Sequence, residues 1–255
     1  MTDLVSVARH GTTVEIELNR PAKKNALTSE MYAVLADAVE QAEADVSVRS
    51  VLISGAGSAF SAGNDLQDFL TGSMEDEPPV LRFLRALSSA SVPLVAAIQG
   101  PAVGIGATML LHSEHVVAAD DAVLQFPFVN MALVPEAGSS LLLPRVTGYL
   151  RAAEILLTGQ KLDARRALDL GLVSRVVPVG EQVRAAREFT DGLAGQPPAA
   201  VRLTKRLLRD DTAGLDARIG TELVLFKERL QSPEFVEAVT AFMQKRAPVF
   251  DAPQG

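Results

Sequence analysis

Twice in this chain a continuous apolar run passes straight into a glycine-bearing turn. SVLIS at 50–54 leads into Gly55-Ala56-Gly57 and on to Phe60-Ser61-Ala62-Gly63-Asn64-Asp65, and VPLVAAI at 92–98 leads into Gln99-Gly100-Pro101-Ala102-Val103-Gly104-Ile105-Gly106. Apolar runs without alternation read as strands covered on both faces. Covering both faces of a sheet takes helices, so the expected class is α/β. Small residues at the exit of a buried strand let a ligand approach the backbone, which marks both turns as ligand edges.

The rest of the chain fits that frame. Alternation at 4–9 and at Val14, Ile16 and Leu18 predicts a β-hairpin turning at His10-Gly11. Thr28 can cap a helix whose Met31, Leu35, Ala38, Val39 and Ala42 recur at helical spacing. Residues 68–79 are acidic, prolyl and glycine-bearing and read as a solvated surface segment. Helices are predicted at 80–89, 107–111, 149–157 and 163–169, the last stopped by Gly171, with short strands at 115–118 and 123–126. Beyond Pro178 there is only helical periodicity, at 181–193, 199–208, 213–230 and 233–246. This divides the 255 residues into a core, 1–195, and a C-terminal helical region, 196–255, which either packs on its own core or completes a neighbouring subunit.

A net charge of −7 argues against nucleic acid or an anionic membrane as partner. With no cysteine there is neither disulfide nor thiol chemistry, which fits a reducing, cytoplasmic setting. The N-terminus carries no export pattern, and no apolar run is long enough to span a bilayer. Gly104-Ile105-Gly106 lacks the third glycine of a dinucleotide loop, and neither GxxxxGK[ST] nor GxSxG occurs. His10, His112 and His115 read as structural; Glu114 and Asp120 do not complete a ligand spacing with the last two, so no metal is expected.

One carboxylate stands apart. Between residues 124 and 140, LQFPFVNMALVPEAGSS, Glu136 is the only acid in an apolar, prolyl and small-residue stretch. It reads either as a first-turn acid favouring a helix N-terminus or as a functional group. Two turns each able to present a backbone N–H, with one carboxylate on a third segment, form the inventory for enolate chemistry.

These residues resemble the crotonase (enoyl-CoA hydratase/isomerase) superfamily. The resemblance runs through Asn19-Arg20-Pro21 with Asn25-Ala26-Leu27, the 60–65 run, Gly100 to Gly106, and 155–159 followed by 164–173, in the family's order over most of the chain. It implies a crotonase-like stacked ββα core with a C-terminal helical region, homotrimers or dimers of trimers, and an acyl-CoA thioester substrate, coenzyme A being part of the substrate and not a separate cofactor. By the same resemblance the amides of Asn64 and Ile105 form an oxyanion hole, and Ala62, Gly63, Asn64, Asp65 and Leu66 line the coenzyme A path. Lys23, Lys24, Lys227 and Lys245 are candidates for its phosphates, and Phe242 with Lys245 for reaching the ligand from the tail.

Hydratases of this family carry two glutamates where this chain has Thr108 and Phe128. Threonine and phenylalanine cannot deprotonate water and return a proton to carbon. A single base suffices to move a proton from C2 to C4 of a 3-enoyl thioester. Gly63-Asn64-Asp65-Leu66 and Pro135-Glu136 resemble the Δ3,Δ2-enoyl-CoA isomerase branch, in which the acid at the place of Glu136 is the base. Apolar neighbours such as Phe128 and Val134 are expected to raise its pKa. Other crotonase-type reactions, including hydration, and a non-catalytic acyl-CoA-binding role remain the alternatives.

Overall fold

The computed structural model describes residues 4–65, 78–209 and 214–250. The predicted hairpin is β1 (Val5–His10) with β2 (Thr13–Leu18), antiparallel. The predicted buried strands are β3 (Ser50–Gly55) and β4 (Leu94–Ile98). With β6 (His115–Ala119) and β9 (Arg175–Val177) they form a six-stranded sheet of order β1-β2-β3-β4-β6-β9, parallel from β2 onward.

Successive side chains on a strand point to opposite faces, and the central strands separate accordingly. Val51, Ile53, Leu94, Ala96 and Ile98 enter the large core beside α1 (Ser29–Ala44) and α2 (Pro79–Ser89). Leu52, Val95, Ala97, Val117 and Val177 face the other way, against Ala185 and Ala186 of α7 (Gln182–Ala194). Helix α1 starts where its sequence says it should: the Thr28 hydroxyl accepts the Met31 N–H at 3.3 Å, and Met31, Leu35, Ala38, Val39 and Ala42 are all buried.

A second, three-stranded sheet has order β5 (Pro101–Val103), β7 (Val123–Gln125), β8 (Lys161–Asp163). Neither β5, β8 nor β9 is foreseen by periodicity, since three residues are too few to show alternation. The helix expected at 107–111 is instead a single α turn, α3 (Ile105–Thr108), tightening into a 3-10 turn at Met109–His112. Helices α4 (Ser139–Thr147), α5 (Tyr149–Thr158) and α6 (Ala164–Asp169) follow, the last capped by Asp163, whose carboxylate accepts the Arg166 N–H at 2.7 Å.

Of the remaining helices, α8 (Pro198–Arg209) buries Lys205, α9 (Leu215–Leu230) buries Glu222 beside Leu215, Ile219 and Phe226, and α10 (Pro233–Met243) buries Phe235, Ala238, Val239 and Ala241. Lys205 of α8 donates to the Val92 carbonyl at 2.7 Å and pairs with Glu114 at 2.9 Å. Arg187 of α7 reaches Glu15 of β2 through two 2.7 Å bonds. Among the described residues no helix is long and apolar enough to cross a membrane. The surface segment expected at 68–79 lies almost wholly outside the described residues.

Candidate active site

The first small-residue turn does not end at β3; it runs on beside the second. Ser61 N–H donates to Pro101 O at 3.0 Å and Val103 N–H to Ser61 O at 2.9 Å, so the chain leaving β3 is zipped onto β5. Three residues on, Leu27 N–H donates to Gly63 O at 2.8 Å and Asp65 N–H to Leu27 O at 2.9 Å. In such a parallel bridge Leu27 is satisfied by the neighbours of Asn64, which leaves the Asn64 N–H on the face away from Leu27. Ile105 is the first residue of α3, so its N–H has no acceptor within the helix.

The glycines explain why these amides lie at one edge. Gly63 has φ +92°, and a Cβ there would stand 2.9 Å from the Val103 carbonyl oxygen. A Cβ on Gly106 would stand 2.9 Å from both Cβ and O of Ser61. Helix α3 therefore lies against the 61–64 segment at a distance only glycine permits.

Polar side chains lock the 20–27 segment to the same edge. Asn25 is fully buried: its Oδ1 accepts the Arg20 N–H at 2.8 Å, and its Nδ2 donates to the carbonyls of Ala56 and Ala59 at 2.9 and 2.8 Å. Ser61 Oγ donates to Asn25 O at 2.9 Å and accepts the Gly63 N–H at 3.1 Å. Arg20 pairs with Asp65 at 2.6 Å, and the Tyr32 hydroxyl donates to Asn64 Oδ1. Ala62 N–H donates to Lys24 O at 2.8 Å, which sets the backbone of Lys24, an exposed residue, next to Ala62.

Glu136 comes to this edge through α3. Thr108 is the last residue of that turn, three positions after Ile105 and so on the same side of it. Its Oγ1 donates to Glu136 Oε1 at 2.5 Å. Burial pushes the Glu136 carboxyl up to about 8; the Thr108 hydrogen bond pulls the other way, and the nearby Glu222 charge adds to the rise. The direction is the one expected from the apolar stretch around it. A carboxyl poised near neutrality is suited both to take a proton and to return it.

The backbone after Glu136 is held in an unusual shape. Ala137 has φ +59° and Gly138 φ +73°, two successive left-handed residues before α4 begins. Glu136 O accepts from Ser139 N–H at 3.0 Å and Ser139 Oγ at 2.6 Å. His112, fully enclosed, hydrogen-bonds Ala137 O through Nε2 at 2.8 Å; burial holds its pKa down to about 4, so the neutral ring donates. Glu222 of α9 accepts the N–H groups of Gly138 and Ser140 at 2.6 and 2.9 Å.

The structure thus brings together Lys24, Ala62, Gly63, Asn64, Asp65, Ile105 and Glu136. Leu66 lies outside the described residues. Phe242 and Lys227 are exposed, and Lys245, at φ +54° just past α10, is exposed with no hydrogen bond to the 62–65 stretch among the described residues. Tyr32 and Glu222 are supports that sequence reasoning missed; His112, read as structural, hydrogen-bonds the turn after Glu136, and Thr108, read only as the place of an absent glutamate, orients the carboxyl. Thr108 carried a signal in its spacing from Ile105; Glu222, 84 residues beyond Gly138, carried none.

Known proteins share sequence and fold with this chain over nearly its whole length. The family model described as enoyl-CoA hydratase/isomerase matches residues 8–253. The 1,2-epoxyphenylacetyl-CoA isomerase of Escherichia coli (strain K12) is 34% identical over 92% of this chain and 93% of its own length. Enoyl-CoA delta isomerase 2 of Rattus norvegicus is 36% identical over 95% of this chain, which spans 64% of that longer protein. A crystal structure of an enoyl-CoA hydratase/isomerase from Pseudoalteromonas atlantica T6c superposes with a TM-score of 0.95 at 42% identity, covering 98% of this chain and all of the other. Relatives named as hydratases match at comparable identity, 31 to 36%. Shared sequence from the first hairpin to the tail, together with the same fold, makes this chain a member of the enoyl-CoA hydratase/isomerase family.

Proposed function

We propose that the chain is a 3-enoyl-CoA to 2-enoyl-CoA isomerase in which Glu136 is the only acid–base group. The observation that carries this reading is the Thr108–Glu136 hydrogen bond: at Thr108, where a hydratase would present one of its two carboxylates, this chain presents a hydroxyl that donates to Glu136. The ionised Glu136 takes a proton from C2 of the 3-enoyl thioester. Electrons move toward the thioester oxygen, which receives the amides of Asn64 and Ile105, and a dienolate results. Glu136, now protonated, returns the same proton at C4, leaving the double bond between C2 and C3. Each donor of such a hole is worth about 3 kcal/mol of barrier.

Coenzyme A runs along Ala62–Asp65 and on toward Leu66 in this reading, with Lys24 beside it for a phosphate and Lys245 as a second cation from the tail. The apolar Tyr149 and Leu150, 75% and 80% exposed at the start of α5, suit burial in a homotrimer or dimer of trimers. The absence of cysteine suits a cytoplasmic setting.

The test is turnover of a 3-enoyl-CoA beside a 2-enoyl-CoA by wild type and Glu136→Gln. Fast conversion of the 3-enoyl thioester, abolished by the substitution, with little hydration of the 2-enoyl thioester, supports the isomerase. Efficient hydration of the 2-enoyl thioester overturns it in favour of a hydratase. Binding of both thioesters with no turnover of either makes the chain an acyl-CoA binder.

A further inference from the structure

Helix α4 begins without a capping side chain of its own, because its N-cap residue is Gly138. A larger residue is disfavoured there: φ is +73°, and a Cβ would stand 2.4 Å from Leu215 Cδ1 and 3.4 Å from Ile219 Cγ1, both on α9, so that Leu215 would have to shift. The left-handed backbone and the closeness of α9 both favour glycine at the cap position, and α9 itself supplies a replacement cap. Glu222, one turn beyond Ile219 and 5% exposed, accepts the Gly138 and Ser140 amides with its two oxygens at 2.6 and 2.9 Å. Those amides follow Ala137, a residue with a Cβ kept at φ +59°, a conformation that costs roughly 1–2 kcal/mol. The Glu136 side chain leaves the turn these residues form.

We propose that Glu222 is a positioning residue for the candidate base: by gripping the Gly138 and Ser140 amides it holds the turn that aims Glu136 at Thr108, at the end of α3. A remote carboxylate on the C-terminal region is then part of the machinery of a site otherwise built from the core. The inference rests on the reading of Glu136 as the base. The other ionisable groups on the elements around the turn are Arg82 and Arg85 on α2, Arg145 on α4, Asp216, Arg218, Lys227, Glu228 and Arg229 on α9, Glu234 and Glu237 on α10, and the neutral His112. Arg229 is engaged with Glu234 and with the Ala132 carbonyl, at 2.9 Å for the latter, and Asp216 accepts the Ser88 hydroxyl at 3.0 Å. Of all these charges it is that of Glu222 which bears on the Glu136 carboxyl.

Two variants separate aim from charge. Glu222→Gln removes the charge and gives up one of the two acceptors; Glu222→Asp keeps the charge and shortens the reach. Each is compared with wild type in far-UV circular dichroism, in kcat against pH with a 3-enoyl-CoA, and in a substrate-free titration of 13C-carboxyl-labelled Glu136, assigned by its loss in Glu136→Gln. The Gln variant should titrate Glu136 about one pH unit lower, and its plateau kcat should fall about 10-fold or more. The Asp variant should lose plateau kcat with its midpoint near that of wild type. Equal Glu136 midpoints in wild type and the Gln variant, or undiminished plateau kcat in the Asp variant, overturn the proposal; the Asp result decides if the Gln variant does not fold. Should Glu136→Gln itself retain turnover, the base assignment fails, a result distinct from any obtained at Glu222.

Discussion

Thr108 donates its hydroxyl hydrogen to Glu136 across 2.5 Å, and Thr108 closes the same single helical turn that Ile105 opens. One short element thus carries a hole amide at its start and the orienting group of the base at its end. Because the hydroxyl stabilises the ionised carboxylate, its removal must raise the Glu136 pKa. Thr108→Val, nearly isosteric, should move the alkaline rise in kcat/KM upward by roughly half to one pH unit and lower kcat/KM at pH 7 about 3- to 10-fold. A pH profile of the two proteins with a 3-enoyl-CoA checks this; an unmoved midpoint contradicts it.

The raised pKa of Glu136 also bears on stability. An ordinary glutamate has a value of 4.5, whereas here it is about 8. Between those values the folded state holds a proton that the unfolded state has lost, so folding is progressively disfavoured as pH rises from about 4.5 to 8. Glu136→Gln cannot ionise and escapes that loss. The variant should therefore gain stability over wild type as pH rises, by a few kcal/mol once pH exceeds 8. Urea unfolding of both proteins at pH 5, 7 and 8.5 measures the difference; a gap that does not widen with pH counts against the buried, protonated carboxyl.

His112 predicts the opposite limb. Its folded pKa of about 4 lies below the ordinary 6.5, because burial penalises the charged ring. Between pH 6.5 and 4 the unfolded chain takes up a proton that the folded chain refuses, so stability falls as pH drops through that window. The loss should reach about 3 kcal/mol near pH 4. It should be largely missing in His112→Gln, which can still donate to Ala137 O. Chemical denaturation between pH 7 and 4.5 tests this, and parallel acid sensitivity in the variant would show that other groups dominate.

Gly106 is the position where activity and fold should separate most cleanly. A methyl group there meets Ser61 Cβ and O at 2.9 Å, so α3 must retreat from the 61–64 segment by some tenths of an ångström. The Ile105 amide moves with it. Gly106→Ala should remain folded, with a lowered thermal midpoint, and lose about 100-fold in kcat, since misplacement on that scale disrupts a preset donor. Wild-type turnover in a folded Gly106→Ala would argue that the Ile105 amide does not meet the reacting oxygen.

The α/β class, the paired buried strands β3 and β4, the opening hairpin and the Thr28-capped helix were legible in the chain because each is a local pattern. Alternation, helical spacing and a capping hydroxyl act over a few residues and leave their period in the sequence. Glu136 and the two glycine turns stood out for a related reason: a lone acid in apolar surroundings and small residues after a buried strand are chemically conspicuous wherever the chain later goes. The three-residue strands β5, β8 and β9 left no such period, since they exist only through the partners that pair with them. The supports of the site are of that second kind. Tyr32 meets Asn64, His112 meets Ala137 and Glu222 meets Gly138 across sequence separations that no periodicity spans. The chain by itself determined which groups could do chemistry; packing of α1, α3 and α9 against one edge decided where those groups point and, by shielding the Glu136 carboxyl, how readily it holds a proton. Hydrogen bonding and desolvation depend on what lies nearby in space, and that is set only when the chain has closed.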